Sequence, residues 1–303
     1  MDWTKVFFSW DVLSATLRVM APILLVAMGA LISNQAGIIN IGLEGLMLIG
    51  AFAGFLFNHL FGSCLLGLVG AMVATSAFAL IFGVFVIKFK ANALVAGVAI
   101  NLLGAGLTVY LMSIIFGVKG FITSDNLQPI PKVDFPFIQN DSILGKVFDN
   151  QSLIIWIALL LVFAMHILLN YTRFGYHVRG AGQNPGALST CGINVDRLGF
   201  QTLIIQGMLI GLGGAYLSTG YLEQFVQNMT SGRGYIALAA VTFGANMPIG
   251  VFGATMLFAF IETLSTRLQS IGFPSYFAQM MPYVITILVL AITAYRKLRK
   301  RCI

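Results

Sequence analysis

Thr172 to Asp196 reads TRFGYHVRGAGQNPGALSTCGINVD, the one long polar interval that is both basic and glycine-rich in a chain otherwise built of apolar runs. Arg173, His177, Arg179 and Arg197 mark it as a cytoplasmic loop, because loops retained in the cytoplasm carry an excess of Lys and Arg. A short helix lies inside it with its punctuation intact. Asn184 is placed to cap the N-terminus through its side-chain oxygen. Pro185 suits the first helical position, where a missing N–H costs nothing. Gly186 to Cys191 then carries roughly two turns, and Gly192 supplies the left-handed residue that ends them. So short a helix is not stable alone in water. It needs a partner surface, and in a cytoplasmic loop the expected partner is another protein.

The rest of the chain explains why a polar interval stands out. Of 303 residues 58% are apolar and 9% charged, with a mean hydropathy of +0.92. A soluble domain carries about 25% charged residues, so this much apolar surface calls for lipid. The expectation is an all-α polytopic membrane protein forming a single transmembrane domain over 1–303. The apolar runs are continuous rather than alternating, which argues against a β-barrel. The net charge of +7 is no nucleic-acid footprint, since Arg296, Lys297, Arg299, Lys300 and Arg301 cluster in a basic tail over 296–303. There they would orient the last span toward the cytoplasm and touch anionic lipid. Cys64, Cys191 and Cys302 are far apart and odd in number, which reads as free thiols without a metal site. The start lacks the basic region and small-residue cleavage site of a signal peptide.

In chain order, residues 1–16 mix Trp3, Phe7, Phe8 and Trp10 with charges and read as an interfacial segment. Spans are expected over 17–33 (with Pro22 kinking it), 36–57, 64–87, 91–116, 152–170, 199–220, 234–246, 251–269 and 280–295. The interval 117–151, with Pro129, Pro131 and Pro136, reads as an extracytoplasmic loop. The 171–198 loop and the turn at Lys88 and Lys90 fall on the cytoplasmic side, as does the C-terminus. The N-terminus is then expected outside. The segment 234–246 is too short for the roughly 30 Å hydrocarbon core. It is either a half-helix or a stretch sheltered inside the bundle. The bundle thus has about nine segments, one of them short or re-entrant. Gly207, Gly211, Gly213 and Gly214 read as a packing face in the sixth span, 199–220.

Glu44 and Glu262 are the carboxylates inside spans, where an ionised group costs about 2.5–3.5 kcal/mol on insertion scales. Each is either a solute-path or proton-relay group or a structural one. For Glu44 the structural role is bonding to backbone, with the Gln35–Asn40 break as the candidate; for Glu262 it is pairing with Arg267. Asn40, Asn101, Gln206 and Asn246 singly read as interhelical glue, and as a set as the lining of a path for an uncharged, hydrogen-bonding solute. His59, His166 and His177 lack ligand spacing. No nucleophile–base pattern and no phosphate-cradling Gly-x-x-x-x-Gly-Lys is present, so the chain is not expected to hydrolyse ATP itself.

Four stretches together resemble the permease subunits of ATP-binding-cassette importers in the ribose and branched-chain amino acid group. They are Gly29–Phe52 (GALISNQAGIINIGLEGLMLIGAF), Asn92–Leu107 (NALVAGVAINLLGAGL), Gly182–Val195 (GQNPGALSTCGINV) and Gly232–Ala239 (GRGYIALA). The Gly-Ile-Ile-Asn-Ile-Gly-Leu-Glu-Gly core most resembles the nucleoside, simple-sugar-type branch. The resemblance covers about residues 15 to 290, leaving the proline-bearing 117–151 loop unmatched. It implies a multi-pass protein of the bacterial inner membrane, paired with a second, homologous permease (a heterodimer before a homodimer). A two-cassette ATPase holding ATP and Mg binds below, and a solute-binding lipoprotein delivers cargo from outside. The 184–191 helix would be the coupling helix, with Arg179, Gly182, Asn184, Pro185, Ala187, Leu188, Gly192 and Ile193 as its ATPase-facing set. The implied cargo is a nucleoside, with a simple sugar such as ribose as the alternative. An ion-coupled secondary transporter using Glu44 or Glu262 is the competitor from another class, and an intramembrane enzyme has no visible constellation.

Overall fold

The computed structural model describes residues 10–133 and 150–270, together with Met280 and Val284. The chain runs α1 (Trp10–Gln35), α2 (Leu43–Phe61), α3 (Cys64–Gly83), α4 (Ala93–Phe116), α5 (Leu153–Tyr171), α6 (Arg173–Gln183), α7 (Pro185–Thr190), α8 (Val195–Tyr216), α9 (Arg233–Phe243) and α10 (Pro248–Ser270). A π-turn extends α3 to Lys88, and another extends α8 to Tyr221. Among the described residues seven helices are long and apolar enough to cross a membrane. The span count of nine is therefore not reproduced as such. The 234–246 segment forms only the short α9, and the 280–295 span lies almost entirely outside the described residues.

α1 is the axis of the bundle. Every residue from 19 to 33 is buried, and α5, α8, α9 and α10 pack around it. The helix begins at Trp10, well inside the stretch expected to be interfacial, and runs through Pro22. Polar residues in that early part find partners without water. Thr16 donates to the Val12 carbonyl at 2.7 Å, and Ser14 accepts from the Gln151 side chain at 2.8 Å. α8 is the second buried rod. Gly207, Gly211 and Gly214 repeat at i, i+4 and i+7, hence on one face. A Cβ at these positions would stand 2.5 Å from Ser76 Cα, 2.6 Å from the Ala71 carbonyl and 2.3 Å from the Met47 carbonyl. Those glycines bring α8 against α2 and α3 at backbone distance, the packing used where lipid supplies no hydrophobic drive. α4 and α5 lie outside and turn Leu94, Leu102, Ile114, Leu160 and Phe163 outward.

Three boundaries depart from expectation. Residues 36–42 are not helical, so the second span starts at Leu43; Asn40 accepts the Gly42 N–H at 2.8 Å and holds the turn open. The 171–198 loop contains a full helix, α6, capped by Thr172, which accepts the Gly175 N–H at 3.1 Å. The 117–151 loop carries β1 (Phe121–Ile122), β2 (Lys132–Val133) and the start of β3 (Gln151–Ser152), with residues 134–149 outside the described set. β2 pairs with β3, and β1 pairs antiparallel with β4 (Phe225–Val226).

That last pairing ties the entry to the short segment to the 117–151 loop. From β4 the chain passes Phe52, whose ring lies 5.2 Å from that of Phe225, and reaches Glu44 at residues 230–234. α9 then continues to the Asn246 carbonyl, which accepts from the Gln35 side chain at the far end of α1. The eleven residues of α9 cover only about 17 Å. A run of turns over residues 227–232, with Met229 and Thr230 buried, joins it to β4. Irregular backbone at this depth is tolerated because protein surrounds it.

Candidate functional site

The polar features gather in two places. The first is the basic end, where Lys88, Lys90, Arg173, Arg179 and Arg197 stand with α6 and α7. α7 is closed at both ends by its own sequence. Asn184 Oδ1 accepts the Ala187 N–H at 3.0 Å, Pro185 opens the first turn, and Gly192 takes φ +79° just beyond the last. No residue of α7 is buried; Leu188 alone is half-covered, packing beside Gly180 of α6, and the other residues of the helix are exposed. Ile193 N–H folds back to the Leu188 carbonyl at 3.4 Å. Gly182 lies in the preceding helix, where an added Cβ would sit 2.2 Å from the Gln35 carbonyl and 3.1 Å from Gly37 N. α6 therefore seats directly on the turn between α1 and α2. Arg197 is exposed. Arg179 is half-buried instead of standing free at the rim, its guanidinium 5.0 Å from the Tyr176 ring centroid.

The second place lies within the bundle, around Glu44. Its Oε1 accepts from the Thr230 hydroxyl at 2.6 Å and the Gly232 N–H at 2.8 Å, and its Oε2 accepts the Gly234 N–H at 2.7 Å. These amides open α9, so a carboxylate from α2 caps a helix far along the chain and opposes the positive end of its dipole. Gly232 takes φ +82° to aim the amides inward, and a Cβ at Gly234 would stand 2.6 Å from Glu44 Cα. The backbone partner of Glu44 is thus the start of α9, and the Gln35–Asn40 break takes no part. Beside it Asn101 accepts the Gly45 N–H at 2.8 Å and donates to the Ile41 carbonyl and the Tyr235 hydroxyl at 3.1 and 3.0 Å. Tyr235 is itself 47% exposed.

The other intramembrane polar residues do not join one cluster. Asn40 and Gln206 are buried and bonded to each other at 3.3 Å. Asn246 is exposed at the basic end. Glu262 pairs with Arg233, not with Arg267 five residues on, because α9 packs along α10 and places the guanidinium there first. Arg233 also donates to the Met229 carbonyl at 3.2 Å. Sequence reasoning missed Thr230, Arg233 and Tyr235 as site residues. The run Gly-Arg-Gly-Tyr, with a charge and an aromatic hydroxyl between glycines in an apolar setting, was the available signal.

Comparison with known proteins places these features in context. The chain is 38% identical over 290 residues to the guanosine ABC transporter permease protein NupQ of Bacillus subtilis, covering 92% of this chain and 90% of that one. It is 34% identical over 283 residues to the nucleoside ABC transporter permease protein NupC of Lactococcus lactis, covering 89% and 88%. A putative glucose ABC transporter permease protein of Haloferax volcanii is 31% identical over 269 residues, covering 88% and 80%. The family described as branched-chain amino acid transport system / permease component matches residues 12–290. Seven apolar helices and a match over nearly the whole chain make this a multi-pass membrane protein that belongs to that permease family.

Proposed function

We propose that the chain is the membrane-spanning subunit of an ATP-driven importer of nucleosides, working at the bacterial inner membrane with its C-terminus in the cytoplasm. The observation that carries the mechanical half is α7. It is a capped helix with no buried residue, tied through α6 to the α1–α2 turn. A separate two-cassette ATPase, holding ATP and Mg, would receive α7 together with Arg197 and Ile193. Closure of the ATPase would shift α6 and, through Gly182, the inner end of α1. A second homologous permease would complete the path, and an extracytoplasmic binding lipoprotein would load it. Such gating is rigid-body motion between two packed states. The chain itself carries no phosphate-cradling glycine loop.

The nucleoside assignment is supported by relatives at 38% and 34% identity named for guanosine and nucleoside transport. A simple sugar is the second reading, favoured by the putative glucose permease at 31%. Chemically, Tyr235 and Asn101 offer a hydroxyl, an amide and an exposed ring at the mouth of the α2–α4–α9 junction. A nucleobase can stack on such a ring and a ribose can bond to such groups. Uptake by the whole assembly, competed by guanosine, uridine and ribose, separates the two. Replacing Pro185→Asp with Gly186→Glu should leave membrane insertion intact and abolish uptake. Normal uptake at normal abundance would sink the coupling role. Gradient-driven uptake by this chain alone in liposomes, lost in Glu44→Gln, would select the ion-coupled class instead.

A further inference from the structure

At the basic end a cavity of about 470 Å³ opens among the last turns of α1 and α5, the helix α6 and the first turn of α10. Arg179, His166 and Asn170 line it on one side, Ile249 and Gly250 on another. His166 Nδ1 and the Asn170 amide are bonded across one helical turn at 3.2 Å, which fixes the imidazole against the wall. Arg179 is held by the Tyr176 ring, while its Nε is buried without a hydrogen-bond partner. Among the described residues the ion pairs are Lys90 with Asp196 and Arg233 with Glu262, so the Arg179 charge is unmatched there.

Among the described residues at this end no second ion pair offers Arg179 a counter-charge. Asp196 faces Lys90 at 4.0 Å, and residues 271–303 contain no Asp or Glu. Across the cavity, the Ile249 and Gly250 amides belong to the first turn of a 23-residue helix and have no acceptor within it. A helix start of this kind carries partial positive charge and favours anions. An unpaired guanidinium, an imidazole, an amide and a helix N-terminus thus line one space whose remaining wall, with Leu169, Met247 and Pro248, is apolar. The guanidinium fork suits a tetrahedral oxyanion better than a single carboxylate oxygen. The cavity also sits at the level where α5 ends, at Tyr171, and so near the inner headgroup layer.

We propose that this cavity is a binding site for a phosphate-type oxyanion, either the headgroup of an anionic phospholipid or free phosphate. The site lies apart from the Glu44 junction, so it stands whichever solute the transporter carries. The test is a thermal-shift titration of the full chain in detergent with phosphatidylglycerol or inorganic phosphate, and phosphatidylcholine as the zwitterionic reference. Phosphatidylglycerol should raise the melting temperature where phosphatidylcholine does not. Arg179→Gln should weaken that response about tenfold, the loss of one charge-assisted contact. Arg197→Gln, which removes an exposed cation outside the cavity, should leave it unchanged. Inorganic phosphate that stabilises alone and competes with the lipid identifies a free-anion site; lipid stabilisation indifferent to phosphate identifies a headgroup site. Equal responses to all three probes, or an undiminished response in Arg179→Gln, would overturn the proposal. If Arg179→Gln fails to fold, His166→Leu carries the same comparison with an expected weakening of about threefold.

Discussion

α7 and α9 are both short helices whose first turns are closed by a side-chain oxygen, and the two caps could hardly be built more differently. Asn184 caps α7 from inside the same loop, three residues from the amide it receives. Glu44 caps α9 from another span, accepting from amides at 232 and 234. α7 has no buried residue, while Gly234, Ala237, Ala240 and Val241 of α9 are buried. A local cap shapes a helix that leaves its residues unburied. A distant cap fastens a broken membrane segment into the bundle, where an open helix end would leave amides without acceptors. On the proposed coupling role one helix is made to be pushed, while the other must stay where it is.

The sharpest way to break this contrast is Glu44→Gln. Glutamine offers one oxygen where the carboxylate serves three donors, and its NH₂ would face a backbone N–H. The expected loss is about 2–3 kcal/mol of stability, the scale of hydrogen bonds to a charged group. It should appear as a lower melting temperature in detergent together with lost uptake. A variant as stable as the natural chain, yet inactive, would move Glu44 from fastening to chemistry.

The same contrast explains what could be read in advance. The cap of α7, the apolar runs and the glycine face of α8 are local patterns of spacing, and each has its counterpart in the structure. The cap of α9 depends on two residues about 190 positions apart, which no window along the chain contains. Glu262 shows the error this produces. The nearest cation in sequence, Arg267, was the natural partner, but the antiparallel approach of α9 brings Arg233 instead. α6 was hidden for a related reason. Its glycines and cations read as loop, and its helical form depends on seating Gly175 against α5, where an added Cβ would stand 2.1 Å from the Leu168 carbonyl.

A smaller effect tests whether α9 has a second fastening. Arg233 and Glu262 join α9 to α10, with side chains only 14% and 19% exposed, but Arg233 Nε and Glu262 Oε2 have no hydrogen-bond partner. The pair is therefore incompletely satisfied and should be worth less than the Glu44 cap. Arg233→Gln, Glu262→Gln and the double variant form a cycle, with an expected coupling of about 1–2 kcal/mol in thermal or denaturant unfolding. A coupling near zero would leave the segment anchored by the Glu44 cap together with the neutral bonds of Asn101 to Tyr235 and of Gln35 to Asn246.

The smallest stability change belongs to α7, and there stability and transport should part company. Asn184→Ala removes a cap worth about 1 kcal/mol to its helix. Because α7 buries no residue, that loss should stay local and leave the global melting temperature nearly unmoved. Uptake should nevertheless fall, since a frayed handle transmits less of a push to Gly182 and the α1–α2 turn. Asn184→Asp keeps an acceptor oxygen and should restore transport, and Asn184→Gly should lie between. Full uptake in Asn184→Ala would mean that a partner imposes the helix on binding. Pre-formation by the cap would then contribute nothing to coupling, and the likeness between the two short helices would end at their geometry.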